Sequence, residues 1–306
     1  MRTLVATLLV LWPLLVSAKV LNVEFKFTPF TGDPKEDHVE TVAGKVVVFL
    51  NDVPIAEQVV RKDTVPVIFE EREIAPSVWV PAQSLGPAVR KGKNTIRIEF
   101  EPADASTPYR AQLRWATVTD QVKEESAPGT YKGTNQADQG VDDKQATGKL
   151  VMEREFFADF ATDRAWHHLP PVTSLTDEDK QQLTALVRAR ADWFKPDFAS
   201  VYKALEGKGD VDAARVRKAK CLDAAYKAGV RITAVPEGEL EFVTTGGPEV
   251  VVRGKNGFLY PPDPKTFERI KGDDVQMCAG MVLALIYQSR LVAARAGTSG
   301  AWEVVY

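Results

Sequence analysis

The hydrophobic periodicity of this chain changes near residue 150, and this change constrains the fold more than any other feature. Residues 21–27, 96–100 and 109–117 alternate between apolar and polar side chains, which is typical of half-buried strands. From Ser174 onward, segments of helical length follow N-cap residues and acidic first turns. The chain is therefore predicted to begin as an antiparallel sandwich and to continue mainly as helices.

These patterns predict two domains. An all-β antiparallel sandwich, of jelly-roll or immunoglobulin-like type, is expected over residues 19–122, and a polar segment over 123–147 is expected to be a flexible linker or long loop. Residues 148–158 are predicted to add the last sandwich strand. The remainder, 159–306, is predicted to be an α+β domain, mainly helical with a small antiparallel sheet.

Residues 1–18 resemble an export signal. Arg2 precedes an apolar run, Leu4 to Val16, which ends in the small residues Ser17 and Ala18. The alternatives are a buried N-terminal helix and a membrane anchor. We expect cleavage and export to a periplasm or to the outside of a cell, with no membrane span afterwards.

The apolar segment 275–294, predicted to be one long buried helix, is interrupted by charge too soon to span a bilayer.

The charge balance limits the choice of partners. The formal net charge is −3, which provides no electrostatic attraction for nucleic acid or anionic membranes. The expected partners are a small ligand, a glycan or an envelope protein.

Cys221 and Cys278 are the only cysteines in the chain. Both fall in predicted helices of the second half, and an oxidising compartment would favour a disulfide between them. The alternative is two buried thiols that never meet.

Acidic residues and histidines in the segment 148–171 form the sharpest candidate for chemistry. If the segment were helical, Glu155, Asp159, Asp163 and His167 would share one face. If it is a strand, which the alternation from Leu150 favours, these four residues do not share one face. Asp163, His167 and His168 then remain as a candidate acid–base group at the domain junction.

A structural role competes with this candidate. Adjacent histidines do not easily bind one metal. The structural alternative is that His167 or His168 packs against Trp166 or hydrogen-bonds a backbone carbonyl.

Two further sets of residues are weaker candidates. Asp33, Glu36 and Asp37 lie in a polar loop that could hold a structural Ca²⁺ ion, although a solvated acidic turn is the default. No other cofactor is predicted. Trp79 and Tyr131 could stack against sugars, but Trp79 lies between Val78 and Val80 and fits a core position equally well.

One family resemblance is visible in residues 44–100. The pattern VVVFLND, a strand pair and then SLGPAVRKGKNTIRIEF resembles jelly-roll domains of the galactose-binding type. The resemblance implies a fold that often binds sugars, but it supplies no sugar-contact motif to carry over.

No nucleophile, P-loop or dinucleotide motif occurs in the chain. We therefore expect an exported ligand-binding or envelope-interaction protein with no catalytic signature, and carbohydrate is a candidate ligand. The cleft between the domains is its natural site. The alternatives are a hydrolase of envelope or extracellular polysaccharide, using the junction acids and histidines, and a structural or assembly partner.

Overall fold

A computed structural model describes residues 19–68, 73–119, 139–207, 211–297 and 300–305. The predicted signal peptide, residues 1–18, and Tyr131 lie outside the described residues, as does much of the predicted linker. In the part of the chain that the structure describes, no helix has both the length and the apolar character needed to cross a membrane.

The N-terminal half consists of antiparallel sheets, compatible with the predicted sandwich. Its strands are β1 Val20–Thr31, β2 His38–Thr41, β3 Gly44–Leu50, β4 Val53–Val60, β5 Thr64–Ile68, β6 Glu73–Ile74, β7 Val78–Pro81, β8 Gly92–Pro102, β9 Tyr109–Thr119, β10 Gln139–Ala146 and β11 Leu150–Ala158. One sheet has the order β10-β9-β1-β2-β5-β6, with β7 also paired to β1, and the other has the order β11-β8-β3-β4. A short 3₁₀ segment, Ala82–Ala88, follows β7.

The core of this half lies between the two sheets. Phe25 and Phe27 of β1 point inward and are 1% exposed, as the alternation predicted. Phe25 meets Phe156 of β11 edge to face, with ring centroids 5.1 Å apart. Burying an aromatic ring of this size contributes about 1.5–3 kcal/mol. The inward residues of β1 therefore fix which face of the sheet remains available to ligands.

Strand β11 confirms the strand prediction for residues 148–158. It pairs with β8 over nine consecutive residues, from Leu150 opposite Phe100 to Ala158 opposite Gly92. Its buried and exposed residues alternate, so Glu155 lies on the outer face. The helical stripe of acids is excluded, because the segment has a strand period.

Residues 139–146 correct the predicted linker. They form β10, which pairs with β9 from Gln139 opposite Ala116 to Ala146 opposite Tyr109. This strand has little signal in the sequence, because an edge strand needs few apolar side chains. Residues 123–138 of that prediction lie outside the described residues.

The C-terminal half contains the helices and a four-stranded antiparallel sheet, β12-β13-β14-β15, as predicted. Its elements are α1 Asp177–Ala191, α2 Ala199–Glu206, α3 Ala213–Ala219, α4 Cys221–Lys227, β12 Leu240–Thr244, β13 Val250–Gly254, α5 Pro264–Phe267, α6 Asp273–Ile286, β14 Arg290–Arg295 and β15 Trp302–Val304. Thr176 caps α1 in a reciprocal capping box with Asp179, in agreement with the predicted start of the helix.

The single long helix predicted over 275–294 is wrong in its last part. Helix α6 ends at Ile286, and Arg290–Arg295 forms β14 between β13 and β15. The consecutive residues Leu291 to Ala294 are all buried, as in a central strand. A short apolar run of this kind fits a buried strand or a buried helix equally well by periodicity.

Two other details of the second half differ from what the sequence predicts. A capping Asp210 and a closing Gly229 predict one helix between them, but the structure has two, α3 and α4, which meet at Lys220 with a φ of 52°. The turn residues Asn256 and Gly257 predict a short strand over Phe258–Tyr260, and this segment is not a strand.

The sulfur atoms of Cys221 on α4 and Cys278 on α6 lie at disulfide-bonding distance, with their Cα atoms 6.0 Å apart. This confirms the predicted pair. It ties two helices that also pack together through Leu222, Ala225, Ala279 and Val282 in one hydrophobic cluster.

The two halves of the chain are in contact. Val251 of β13 and Val292 of β14 belong to the same hydrophobic cluster as the sandwich core. Beside them, the Arg90 guanidinium lies 3.0 Å from Oε1 and 3.1 Å from Oε2 of Glu249, a side chain that is fully buried. Apolar packing and an ion pair with a buried carboxylate therefore join the second half to the N-terminal sheets.

Candidate ligand-binding face

The outer face of the larger sheet carries two straight rows of side chains across four strands. In the first row, Trp79 of β7 is the register partner of Lys26 of β1. Lys26 is the partner of Arg114 of β9, and Arg114 is the partner of Val141 of β10. At about 4.8 Å per strand, such a row spans roughly 14 Å. The second row runs through Pro81, Glu24, Ala116 and Gln139.

Trp79 points away from the core. Its neighbours Val78 and Val80 are buried, and strand alternation turns the indole to the opposite face, where it is 56% exposed. The indole Nε1–H donates a hydrogen bond of 3.0 Å to Oε2 of Glu24. The ring edge is thus held by a carboxylate, while a large part of the aromatic surface is open to solvent.

Lys26 is held between two carboxylates beside Trp79. Its Nζ lies 2.9 Å from Glu73 and 3.3 Å from Glu24. Partial burial acts to lower the pKa of Lys26, but the two carboxylates outweigh it and raise that pKa. Lys26 therefore stays charged, and Glu24 is shared between the ammonium and the indole.

These side chains border a groove of about 440 Å³. Its lining residues are Glu24, Lys26, Glu73, Arg114, Trp115, Ala116, Gln139, Gly140 and Val141. Two carboxylates and two cationic groups line it, so its formal charges balance. Hydrogen-bond donors and acceptors thus line the groove, and Glu24 and Lys26 connect it to the exposed Trp79 ring.

The junction residues do not form one site. His167 is buried, and its Nε2–H donates to the Pro87 carbonyl at 2.9 Å, while its ring meets Trp166 edge to face at 4.1 Å. His168 is exposed, and its Nε2 lies 2.8 Å from Oδ1 of Asp163. His167 thus has the structural role that competed with the acid–base hypothesis.

Burial and the nearby Arg90 hold the pKa of His167 below its ordinary value, although the bond to Pro87 opposes this. The lowered pKa favours a neutral imidazole. The hydrogen bond from its Nε2–H to the Pro87 carbonyl links the C-terminal half of the chain to the N-terminal half. Its Nδ1 is buried without a hydrogen-bond partner.

The loop proposed for calcium forms a turn through its own backbone. Asp33 Oδ1 accepts the Lys35 amide at 2.9 Å, and the Asp33 carbonyl accepts the Glu36 amide at 3.0 Å. Across the described ranges, no group of three or more His, Cys, Asp or Glu side chains is placed to hold a metal ion. Oδ1 of Asp33 is thus engaged by the backbone of its own turn, and the calcium hypothesis for this loop stays a prediction.

The sequence marks Trp79 as a candidate but not its neighbours. In the sequence, Glu24 and Lys26 are the polar side of a predicted strand, and nothing distinguishes Arg114 or Glu73. Along β1, β7 and β9, buried and exposed residues alternate. This alternation alone is enough to predict that Glu24, Lys26, Trp79 and Arg114 point outward. The pairing of those strands required the structure.

No family model, no curated protein and no solved structure matches this chain.

Proposed function

We propose that this chain is an exported carbohydrate-binding protein and that its site is the outer face of the larger sheet around Trp79. The observation that carries the proposal is a tryptophan 56% exposed on a strand, with its indole N–H fixed by Glu24. The exposed indole is a flat apolar surface held in one orientation. The C–H face of a sugar can stack on such a surface, since that face is flat and apolar while the edge of the sugar carries hydroxyls.

The groups around Trp79 suit those hydroxyls. Glu24 and Glu73 offer acceptor oxygens, and Lys26 and Arg114 offer donors. Because the charges balance within the groove, we expect a neutral saccharide here. The row from Trp79 to Val141 has room for more than one sugar ring.

Two further observations support export and sugar binding. The paired Cys221 and Cys278 fit an oxidising compartment, in line with the signal predicted at residues 1–18. The resemblance of residues 44–100 to jelly-roll domains of the galactose-binding type is also in line with saccharide binding.

The test is a screen of the mature chain against immobilised neutral oligosaccharides of glucose, galactose, mannose and N-acetylglucosamine, followed by calorimetric titration of those retained. Trp79→Ala is expected to weaken binding at least tenfold, because stacking is lost. Phe157→Ala is the matched control, since Phe157 is 59% exposed on β11 of the other sheet.

The proposal is contradicted if no neutral saccharide is retained, or if the two variants bind as the unmodified chain does. Retention that depends equally on Trp79 and Phe157 would place the contact elsewhere.

A further inference from the structure

His167 lies at the contact between the two halves of the chain. It belongs to a short 3₁₀ segment, Ala165–His168, which separates the N-terminal sheets from the helices in sequence. Its Nε2–H donates to the carbonyl of Pro87, in the 3₁₀ segment that follows β7. The residue is 8% exposed, so the ring is largely closed off from solvent.

The other nitrogen of this ring has no partner. Because Nε2 faces a carbonyl oxygen, Nε2 carries the proton, and Nδ1 of the neutral ring is an acceptor. Nδ1 of His167 is buried without a hydrogen-bond partner among the residues that the structure describes. Protonation of the ring would place a second N–H at this position. A buried N–H of this kind loses its hydrogen bond to water and gains none in return.

Three charged groups act on the ring from the surrounding segments: Arg90, Glu249 and Asp163. The Arg90 guanidinium repels an imidazolium, and the two carboxylates attract it. Both carboxylates already have another partner. Glu249 pairs with Arg90 at 3.0 Å, and Oδ1 of Asp163 lies 2.8 Å from Nε2 of His168. Burial, the largest effect, and Arg90 together keep the pKa of His167 below its ordinary value.

We propose that His167 is an acid-sensitive latch, whose protonation releases the Pro87 carbonyl and opens the contact between the two halves while their sheets stay folded. The closed contact suits only the neutral ring, because an imidazolium would bury a second N–H without an acceptor and add a charge near Arg90. In the open contact, water solvates that N–H. Opening also uncovers Val251 and Val292, which pack into the N-terminal core cluster.

The size of the effect follows from proton linkage. In the open state the ring titrates near its ordinary value of about 6.5, and in the closed state it takes up a proton only at lower pH. Lowering the pH from 7.5 to 5.5 therefore increases the ratio of open to closed molecules by up to about tenfold. The inference does not depend on the saccharide site around Trp79.

Hydrogen exchange of the mature chain tests the latch, read by mass spectrometry at pH 7.5 and pH 5.5 and corrected for intrinsic exchange rates. The reporter is the amide of Leu169, whose hydrogen bond to the Trp166 carbonyl closes the turn that carries the ring. Amides in the middle of β9, paired on both sides, are the internal reference. The variants are His167→Gln and, as the matched control, His168→Gln, since His168 is the exposed neighbour.

In the unmodified chain and in His168→Gln, the protection of Leu169 should fall by up to about tenfold between pH 7.5 and pH 5.5. The protection of β9 should stay within twofold over the same range. In His167→Gln the protection of Leu169 should not depend on pH, because the side chain at position 167 no longer titrates.

Three outcomes overturn the inference. One is that Leu169 is equally protected at both pH values in the unmodified chain. Another is that His167→Gln keeps the pH response. The third is that β9 loses as much protection as Leu169, which would indicate global unfolding instead of a local opening.

If His167→Gln does not fold, ¹⁵N spectra of the imidazole rings in the unmodified chain decide the question. The latch requires the neutral Nε2–H form of His167 at pH 7.5, and the loss of this form in step with the exchange of Leu169. A His167 ring that is protonated at pH 7.5, or that carries its proton on Nδ1, would also overturn the inference.

Discussion

The indole Nε1–H of Trp79 donates to Oε2 of Glu24, and Oε1 of the same Glu24 lies 3.3 Å from the ammonium of Lys26. One carboxylate therefore orients both an aromatic ring and a cation on the outer face of the sheet. This arrangement limits ring motion before a ligand arrives, and a preorganised ring loses less conformational freedom when it binds.

Glu24→Ala is expected to weaken saccharide binding by about three- to tenfold while leaving the fold intact. The variant removes the indole restraint and one acceptor oxygen. Its free energy of unfolding should fall by less than about 1 kcal/mol, because solvent-exposed ion pairs contribute little. Calorimetric titration together with urea unfolding checks both parts. A loss of binding that accompanies a large loss of stability would instead indicate a folding defect.

The buried pair of Arg90 and Glu249 is expected to dominate the adhesion between the halves. Glu249→Ala should lower the free energy of unfolding by more than about 1 kcal/mol, since it leaves the Arg90 guanidinium, whose side chain is only 29% exposed, without its partner. Glu155→Ala breaks the exposed pair with Lys93 and should cost under about 1 kcal/mol. Chemical denaturation of both variants checks this contrast. Equal effects would show that the buried pair has no special role.

The pH dependence of stability should reflect His167. The pKa of His167 is lowered in the folded chain, so between that value and the unfolded value of about 6.5 the unfolded state binds more protons. Stability is therefore complete above about pH 6.5 and falls as the pH drops through that value towards the folded pKa. The measurement is urea unfolding from pH 5 to 7.5.

The control for that experiment is His167→Gln, which keeps a side-chain N–H near the Pro87 carbonyl. The difference in stability between the unmodified chain and this variant should shrink as the pH falls. A difference that is constant across the range would contradict the assignment.

Much of the first half was predictable, because one buried face of a strand leaves a period of two. The alternation in residues 21–27 predicted β1, and that in residues 150–158 predicted β11. Strand β10 was not predictable, because its sequence QGVDDKQA has no apolar face and its place depends on pairing with β9. The apolar run at Arg290–Arg295 fits a helix and a strand equally well. Its pairing with β13 and β15 makes it a strand.

The candidate site was predictable only in part. Trp79 between two valines fits a strand buried on both faces or on one, and the sequence alone does not distinguish these. The junction histidines were close in sequence, but a 3₁₀ turn over Ala165–His168 buries His167 and exposes His168. The proximity of side chains on β1, β7 and β9 cannot be predicted until the pairing of those strands is known.

The cysteine pair should stabilise the second half by constraining its unfolded state. The two residues are 57 apart in sequence, and a loop of this length corresponds to about 4 kcal/mol as an upper value in the chain-entropy model. Cys221→Ser with Cys278→Ser is expected to lower the unfolding midpoint. Thiol titration of the denatured mature chain should find no free thiol before reduction and two afterwards. Free thiols in the unreduced sample would contradict the bridge.

The most direct test of the central claim is a saccharide titration followed by ¹H–¹⁵N spectra of the indole groups. The Trp79 signal is identified by its absence in Trp79→Phe. The account predicts that this signal shifts progressively with added neutral oligosaccharide, since the ring stacks on the sugar, while the signal of the buried Trp302 in the C-terminal sheet remains in place. Saccharide binding with an unmoved Trp79 signal would contradict the account.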